Sequence, residues 1–367
     1  MTTFKSYLGY RIKRSLLSTV TFSLLALAIT SFYARVSALS IWGESRYMGI
    51  ESLATIVGII ASIIPMCENA DFKNKRNLDT LFFLPLSRFK LALVHYLSGF
   101  VQMVTIYTVA FIGHVISLLG VADQFRFEYM PLYYFLLLLL GAVVYSLFAF
   151  LFSEGNTVAD GTACAIVWIF AMYAVMTAIA YPVRVFASQY VFSGYEVAYF
   201  QFERRLSSFS EWFLIYAPIN NLTVVFQSVM QGWENFNGLE LERYFPTFKE
   251  AIARNYPHWY MVFAWIAVGA ASVWGYFRNF VRRGAEKAGD ISASPFCYRL
   301  LIPMLGASMI VLTCESGGTA FFLTVAAIYI GYAIYRRSFK IEKSDIITLV
   351  ITALAPLAVV AAINLMH

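Results

Sequence analysis

FKNKRNLDTLFFLPLSRFK, from Phe72 to Lys90, is a compact charged stretch set between two apolar segments long enough to cross a bilayer. A connection between two membrane spans needs only a few polar residues. This one is long enough for two or three helical turns before the turn that Pro85 imposes. Its length and charge predict that something outside the membrane docks on it.

Outward from that stretch the chain is apolar almost throughout. Of its 367 residues 60% are hydrophobic, 17% aromatic and only 13% charged, against about a quarter charged in soluble domains. The class is an all-α polytopic membrane protein. Runs without Asp, Glu, Lys or Arg cover 15–34, 52–67, 91–122, 129–153, 161–183, 255–277, 300–314, 316–335 and 346–367. A span takes roughly 20 residues, so nine spans are expected. Residues 300–314 are short, and with 316–335 they form a hairpin, crossing or re-entrant, that turns at Glu315 to Gly318.

Lys and Arg resist translocation, so their distribution orients the chain. With the N-terminus inside, alternation places 18 basic and 9 acidic residues in the cytoplasm and 9 basic and 12 acidic residues outside. The inverted arrangement puts the +9 face outside and is rejected. The C-terminus then lies outside. Residues 278–299 form a cytoplasmic basic loop.

Phe4, Tyr7, Leu8 and Ile12 fall at helical spacing, with Lys5, Arg11, Lys13 and Arg14 elsewhere around the wheel. Residues 1–14 therefore read as an interfacial amphipathic helix. The apolar run that follows is of full span length and lacks a clear small-residue cleavage site, so it reads as a retained first helix.

Tyr181 to Pro257 is the longest polar interval and falls outside by alternation. Its six basic and seven acidic residues accompany 19 aromatics, a composition that disordered linkers lack. Residues 206–232 are its most apolar part. Pro218, Asn220 and Asn221 interrupt them, so helices lying on or dipping into the outer leaflet are expected rather than a tenth span.

Several activities find no residues to carry them. The chain has no GxxxxGK[ST] phosphate loop, no HExxH and no paired-carboxylate motif. Cys67, Cys164, Cys297 and Cys314 show no metal spacing. No catalytic role and no nucleic-acid partner is expected, and no span carries a clearly central Asp, Glu, Lys or Arg for ion relay. His114, about 28 Å beyond His95 along one helix, reads as an interfacial histidine at the outer end. Asp160 opens the fifth span on the inner side and is expected to stay wetted.

The amphipathic start, the charged stretch after the second span and the FLPLSRFKLAL entry (residues 83–93) into the third resemble the membrane subunit of type-2 ATP-binding-cassette (ABC) exporters. RRGAEKAGD, Arg282 to Asp290, gives weaker support, and the likeness covers residues 1–290. It implies a six-span core, an outer segment between spans five and six, and here about three extra C-terminal spans. It also implies that Asp71 to Phe83 is a coupling helix inserted into a separate cytoplasmic ABC ATPase subunit. The residues suit that role: charged Asp71, Lys73, Lys75, Arg76 and Asp79 beside apolar Phe72, Leu78, Leu81 and Phe82, ending at Pro85 and Arg88. Basic residues beside a span otherwise serve topology and lipid headgroups. SEGNTVAD, with Ser153, Glu154, Gly155, Asn156 and Asp160, is the corresponding second docking turn.

The resemblance further implies a bacterial plasma-membrane complex with a second permease copy, identical or related. ATP and Mg2+ would be bound by the partner ATPase and no cofactor by this chain. The cargo would be hydrophobic or amphipathic, a peptide first. An alternative is a membrane sensor or immunity protein that binds an external peptide without moving it. On the topology, protease added to intact cells or right-side-out vesicles is expected to cut within residues 181–257. Cleavage confined to inverted vesicles would reverse the orientation.

Overall fold

The computed structural model describes residues 2–39, 49–74, 77, 81, 83–119, 126–192, 195–231, 233–234, 243–244, 246–255, 258–282, 290, 292, 294–313, 318–340, 342–343, 345–352 and 354. These residues are helical apart from their connections and one antiparallel pair, β1 (Trp233–Glu234) with β2 (Arg243–Tyr244). The chain divides into two compact units, Met1–Ser153 with Pro218–Glu286, and Glu154–Ala217 with Lys287–His367.

The first unit opens with α1 (Thr2–Arg14), α2 (Leu16–Leu39) and α3 (Ile50–Asn69), the last extended by a 3-10 turn, Ala70–Lys73. After the charged stretch, α4 (Arg88–Leu118) begins at Ser87, whose extended backbone and side chain cap the Lys90 amide at 3.4 Å. α5 (Met130–Glu154) runs to the edge of this unit. Small residues let these helices close up. A Cβ at Gly141 would lie 2.7 Å from Val57, and one at Gly99 would lie 2.5 Å from the Tyr145 hydroxyl.

The second unit carries α6 (Val158–Phe186), continued by a π-helical turn to Val191, and α7 (Glu196–Glu211). α8 (Ala217–Gln231) returns the chain to the first unit, which α9 (Phe248–Asn255) and α10 (Met261–Arg282) complete. In the second unit α11 (Leu300–Leu312) follows a π-helical turn, Pro295–Arg299, and precedes α12 (Gly318–Arg336).

Among the described residues seven helices are long and apolar enough to cross a membrane, and Phe321–Arg336 is a shorter apolar one. The protein is thus multi-pass. The first six of the seven match the first six runs found in the sequence. The seventh, short as residues 300–314, gains length because it begins at Pro295. Of the ninth run, 346–352 and 354 are helical and the remainder lies outside the described residues.

The 181–257 interval differs from its sequence reading in two ways. α6 does not stop at Val183, because Arg184 turns to Glu203 of α7 at 4.0 Å instead of ending the helix. Residues 206–232 are broken as expected, between the end of α7 at Glu211 and the start of α8, and Pro218 sits at that start. It is the second residue of α8, where a proline has no helical hydrogen bond to lose. α8 is also more than a surface helix. Val225, Phe226, Val229 and Met230 are buried. Phe226 stacks 5.1 Å from Tyr133 of α5, whose hydroxyl meets Thr223 at 3.1 Å.

Gly99 supplies a test of this packing. Gly99→Ala pushes a methyl into the Tyr145 hydroxyl, which is hydrogen-bonded to the Tyr96 carbonyl at 2.9 Å. A loss of about 1–3 kcal/mol is expected, read as a lower melting temperature in detergent. Gly9→Ala, with nothing within 4 Å of the added carbon, should hold or raise it.

Candidate functional site

In the first unit the chain enters the charged stretch through a buried polar network. Arg11 of α1 is 5% exposed and lies over the end of α3. It donates from Nη2 to Glu68 Oε2 and from Nη1 to Asp71 Oδ2, each at 2.7 Å. Gln102 of α4 donates to the other Glu68 oxygen at 2.6 Å. Burial works against the Arg11 charge, but the two carboxylates outweigh it and raise the pKa above the ordinary value.

His95 of α4, fully buried, holds the same corner by its ring. Its Nδ1 lies 2.9 Å from the Glu68 carbonyl, an acceptor only, so Nδ1 carries the proton and Nε2 faces the Tyr7 hydroxyl at 3.4 Å. Burial pushes the Tyr7 hydroxyl above its ordinary pKa, opposed by Arg11. Beside it, Asn69 accepts from the Tyr276 hydroxyl of α10 at 2.6 Å. One turn of helix ends therefore ties α1, α3, α4 and α10 together.

The sequence-predicted docking residues divide at this network. Asp71 is bonded to Arg11 and to Asn77, the latter at 3.3 Å. Phe72 packs inward against His95 and Phe280, with ring centroids 4.2 and 4.4 Å away. Lys73 donates to the Phe152 carbonyl at 2.8 Å and lies over the Phe152 ring. These three are occupied within the chain. Lys75, Arg76, Leu78, Asp79 and Phe82 lie outside the described residues. Leu81 is half-buried, and Phe83, Pro85 and Arg88 are exposed.

The second predicted turn is closed. Ser153, Glu154, Gly155 and Asn156 are buried. Ser292 donates to the Glu154 carbonyl at 2.7 Å, and Ser294 donates to its carboxylate. A Cβ at Gly155 would overlap the Gly161 amide, so the turn is also too tight for any larger residue. Asp160 is not left wetted. Its amide is capped by Thr157 at 3.0 Å, and its carboxylate accepts from Tyr298 at 3.0 Å and from Arg337 at 3.4 Å. The chain's own Ser292, Ser294 and Tyr298 occupy this turn, so it offers little surface to a partner.

His114 keeps its expected place along α4, where the protein itself covers it. It is fully buried beside α2, with Nδ1 3.4 Å from the Thr30 carbonyl. Cys164 and Cys297, far apart in sequence, meet in one buried cluster with Ala171 and Leu301. Among the described residues no group of three His, Cys, Asp or Glu is placed to hold a metal ion. No family model matches the chain, and no curated protein matches it.

Sequence reasoning missed the network's two principal charges, although both carry a signal. Arg11 stands three to four residues after Tyr7 and Leu8, inside the apolar stripe of α1 rather than opposite it. Glu68 follows Ile64 and Ala61 at helical spacing on the buried face of α3. Removing Arg11 leaves the buried Glu68 carboxylate without its cation and takes from Asp71 its nearest one, so Arg11→Gln should cost about 3–5 kcal/mol in detergent unfolding. Adding Glu68→Gln should recover part of that loss, and a strictly additive double variant would show that the pair is not coupled.

Proposed function

We propose that this chain is the permease subunit of an ATP-driven ABC exporter, powered by separate cytoplasmic ATPase subunits that bind ATP and Mg2+. The observation that carries the reading is the charged stretch of residues 74–87. At its entry Asp71 is bolted to Arg11, and at its exit Ser87 caps α4. A segment gripped at both ends by membrane helices can pass displacement to those helices. Docking then rests on Lys75, Arg76, Leu78, Asp79, Leu81 and Phe82 with Pro85 and Arg88. Phe83, 88% exposed, joins them. Asp71, Phe72 and Lys73 anchor the stretch from behind.

The permease pairs with a second copy or a related chain, with the cargo path between the two. No phosphate loop exists in the sequence, so hydrolysis belongs to the partner. The aromatic richness of the spans suits a hydrophobic or amphipathic cargo, a peptide first. In this arrangement the N-terminus is cytoplasmic and the membrane is a bacterial plasma membrane.

A membrane sensor or immunity protein is the second reading. It is favoured by the outward faces of Tyr195, Val197 and Phe200, 71%, 73% and 65% exposed, at the start of α7. Such a protein would bind an external peptide without ligand-dependent ATP hydrolysis in its purified complex.

Asp79→Lys with Leu81→Asp separates these readings. In an ATPase contact the pair introduces repulsion and an unpaired carboxylate, expected to cost about 2 to 5 kcal/mol and to weaken assembly roughly 30-fold or more. Copurifying ATPase and ATP-dependent transport should both fall while insertion is unchanged. Ala122→Lys with Gln124→Asp, in the connection between spans three and four, should leave assembly nearly intact. Wild-type stoichiometry and transport in the Asp79 and Leu81 variant would reduce the stretch to a topology signal.

A further inference from the structure

We infer that the start of α4 and the end of α10 form a binding surface for the phosphate of an anionic membrane lipid, with Lys90, Arg278 and Arg282 as its cations. The two helix ends lie side by side, with the Phe89 and Phe277 rings 5.1 Å apart. Lys90, Arg278 and Arg282 are all exposed. Neither helix contains a single Asp or Glu to neutralise them. Among the described residues none of the three forms an ion pair, whereas Arg11, Arg184, Arg336 and Arg337 each have a carboxylate partner.

The apolar surroundings decide the kind of partner. Arg278 lies over Trp274, its guanidinium carbon 4.8 Å from the ring centroid. A guanidinium held over an aromatic ring keeps N–H groups for a bidentate grip on phosphate oxygens. The indole is 62% exposed one turn deeper along a membrane-crossing helix. From Trp274 to Arg282 is about 12 Å of helix, the scale of a headgroup and its glycerol. Phe89 and Val281, 48% and 44% exposed, add apolar contact beside the cations. Aromatic and basic groups mixed at one end of a span suit the membrane interface. The charge count puts this end inside, where anionic lipids concentrate. The surface stands whether or not the chain is an exporter.

The test is native mass spectrometry of the full-length chain, titrated with dioleoyl phosphatidylglycerol or dioleoyl phosphatidylcholine. The unmodified chain should retain the anionic lipid preferentially. Lys90→Gln, Arg278→Gln and Arg282→Gln together should weaken its retention about tenfold or more and leave the zwitterionic lipid unchanged. The matched set Lys5→Gln, Lys340→Gln and Lys343→Gln, also exposed, should change retention less than about twofold. Arg278→Lys, which keeps the charge and loses the fork, should fall between.

Equal losses in both triple variants would overturn the proposal, leaving only a diffuse surface potential. Displacement of the lipid by millimolar inorganic phosphate would overturn it too, because the site would then hold free phosphate. If the first triple variant fails to insert, the single exposed changes Lys90→Gln and Arg282→Gln carry the same comparison against Lys343→Gln.

Discussion

Arg11 leaves an otherwise amphipathic helix and is taken out of water between Glu68 and Asp71. Desolvating each of these ions costs several kcal/mol, and their attraction offsets that cost only when the remaining hydrogen-bonding positions are also filled. Here they are. Glu68 receives Arg11 on one oxygen and Gln102 on the other, while its carbonyl receives His95. The network makes α1 part of the helix bundle rather than a float on the membrane surface. It also fixes where the 3-10 turn after α3 points. Moving α1 away would strand two carboxylates in an apolar setting, so α1, α3 and α4 move at that end as one body or not at all.

The two connections that the sequence singled out as docking turns meet different fates for the same reason. Each contains carboxylates, and a buried carboxylate must find a donor. At Asp71 the charged donor comes from α1. At residues 153–160 the donors come from the chain itself, through Ser292, Ser294, Tyr298 and Arg337. Ser292, Ser294, Tyr298 and Arg337 thus have an evident local role in the second unit. They cover a turn that would otherwise expose Glu154 and Asp160.

Hydropathy alone locates most of the helices because a span leaves its backbone no other way to satisfy its hydrogen bonds. Composition could not show where a span really begins or stops. α6 passes through Arg184 because Glu203 neutralises it, and α11 gains a turn because Ser294 caps Pro295–Arg299. Glu203 lies on the next helix and Ser294 just outside the apolar run, so nothing within either charge-free run announces them. The charges of the candidate site were half legible. Arg11 and Glu68 occupy buried-face positions of their helices, but helical spacing cannot say that two such stripes face each other. His114 was placed correctly along α4, but its burial was not legible, because depth along a helix does not fix which side faces α2.

What the network does follows from how completely it is filled. A proton relay needs an acceptor or donor that is open to exchange, and here both Glu68 oxygens and both His95 nitrogens already face partners. A metal site needs converging ligands without a competing cation, and Arg11 already stands between the acids. With both Glu68 oxygens and both His95 nitrogens engaged, the cluster is suited to holding geometry. Just beyond it in sequence comes a stretch whose charges and aromatics outnumber what crossing a membrane requires. The anchor ties the ends of α1, α3 and α4 into one unit, because drawing any of these helices away would part Glu68 from Arg11 or Gln102.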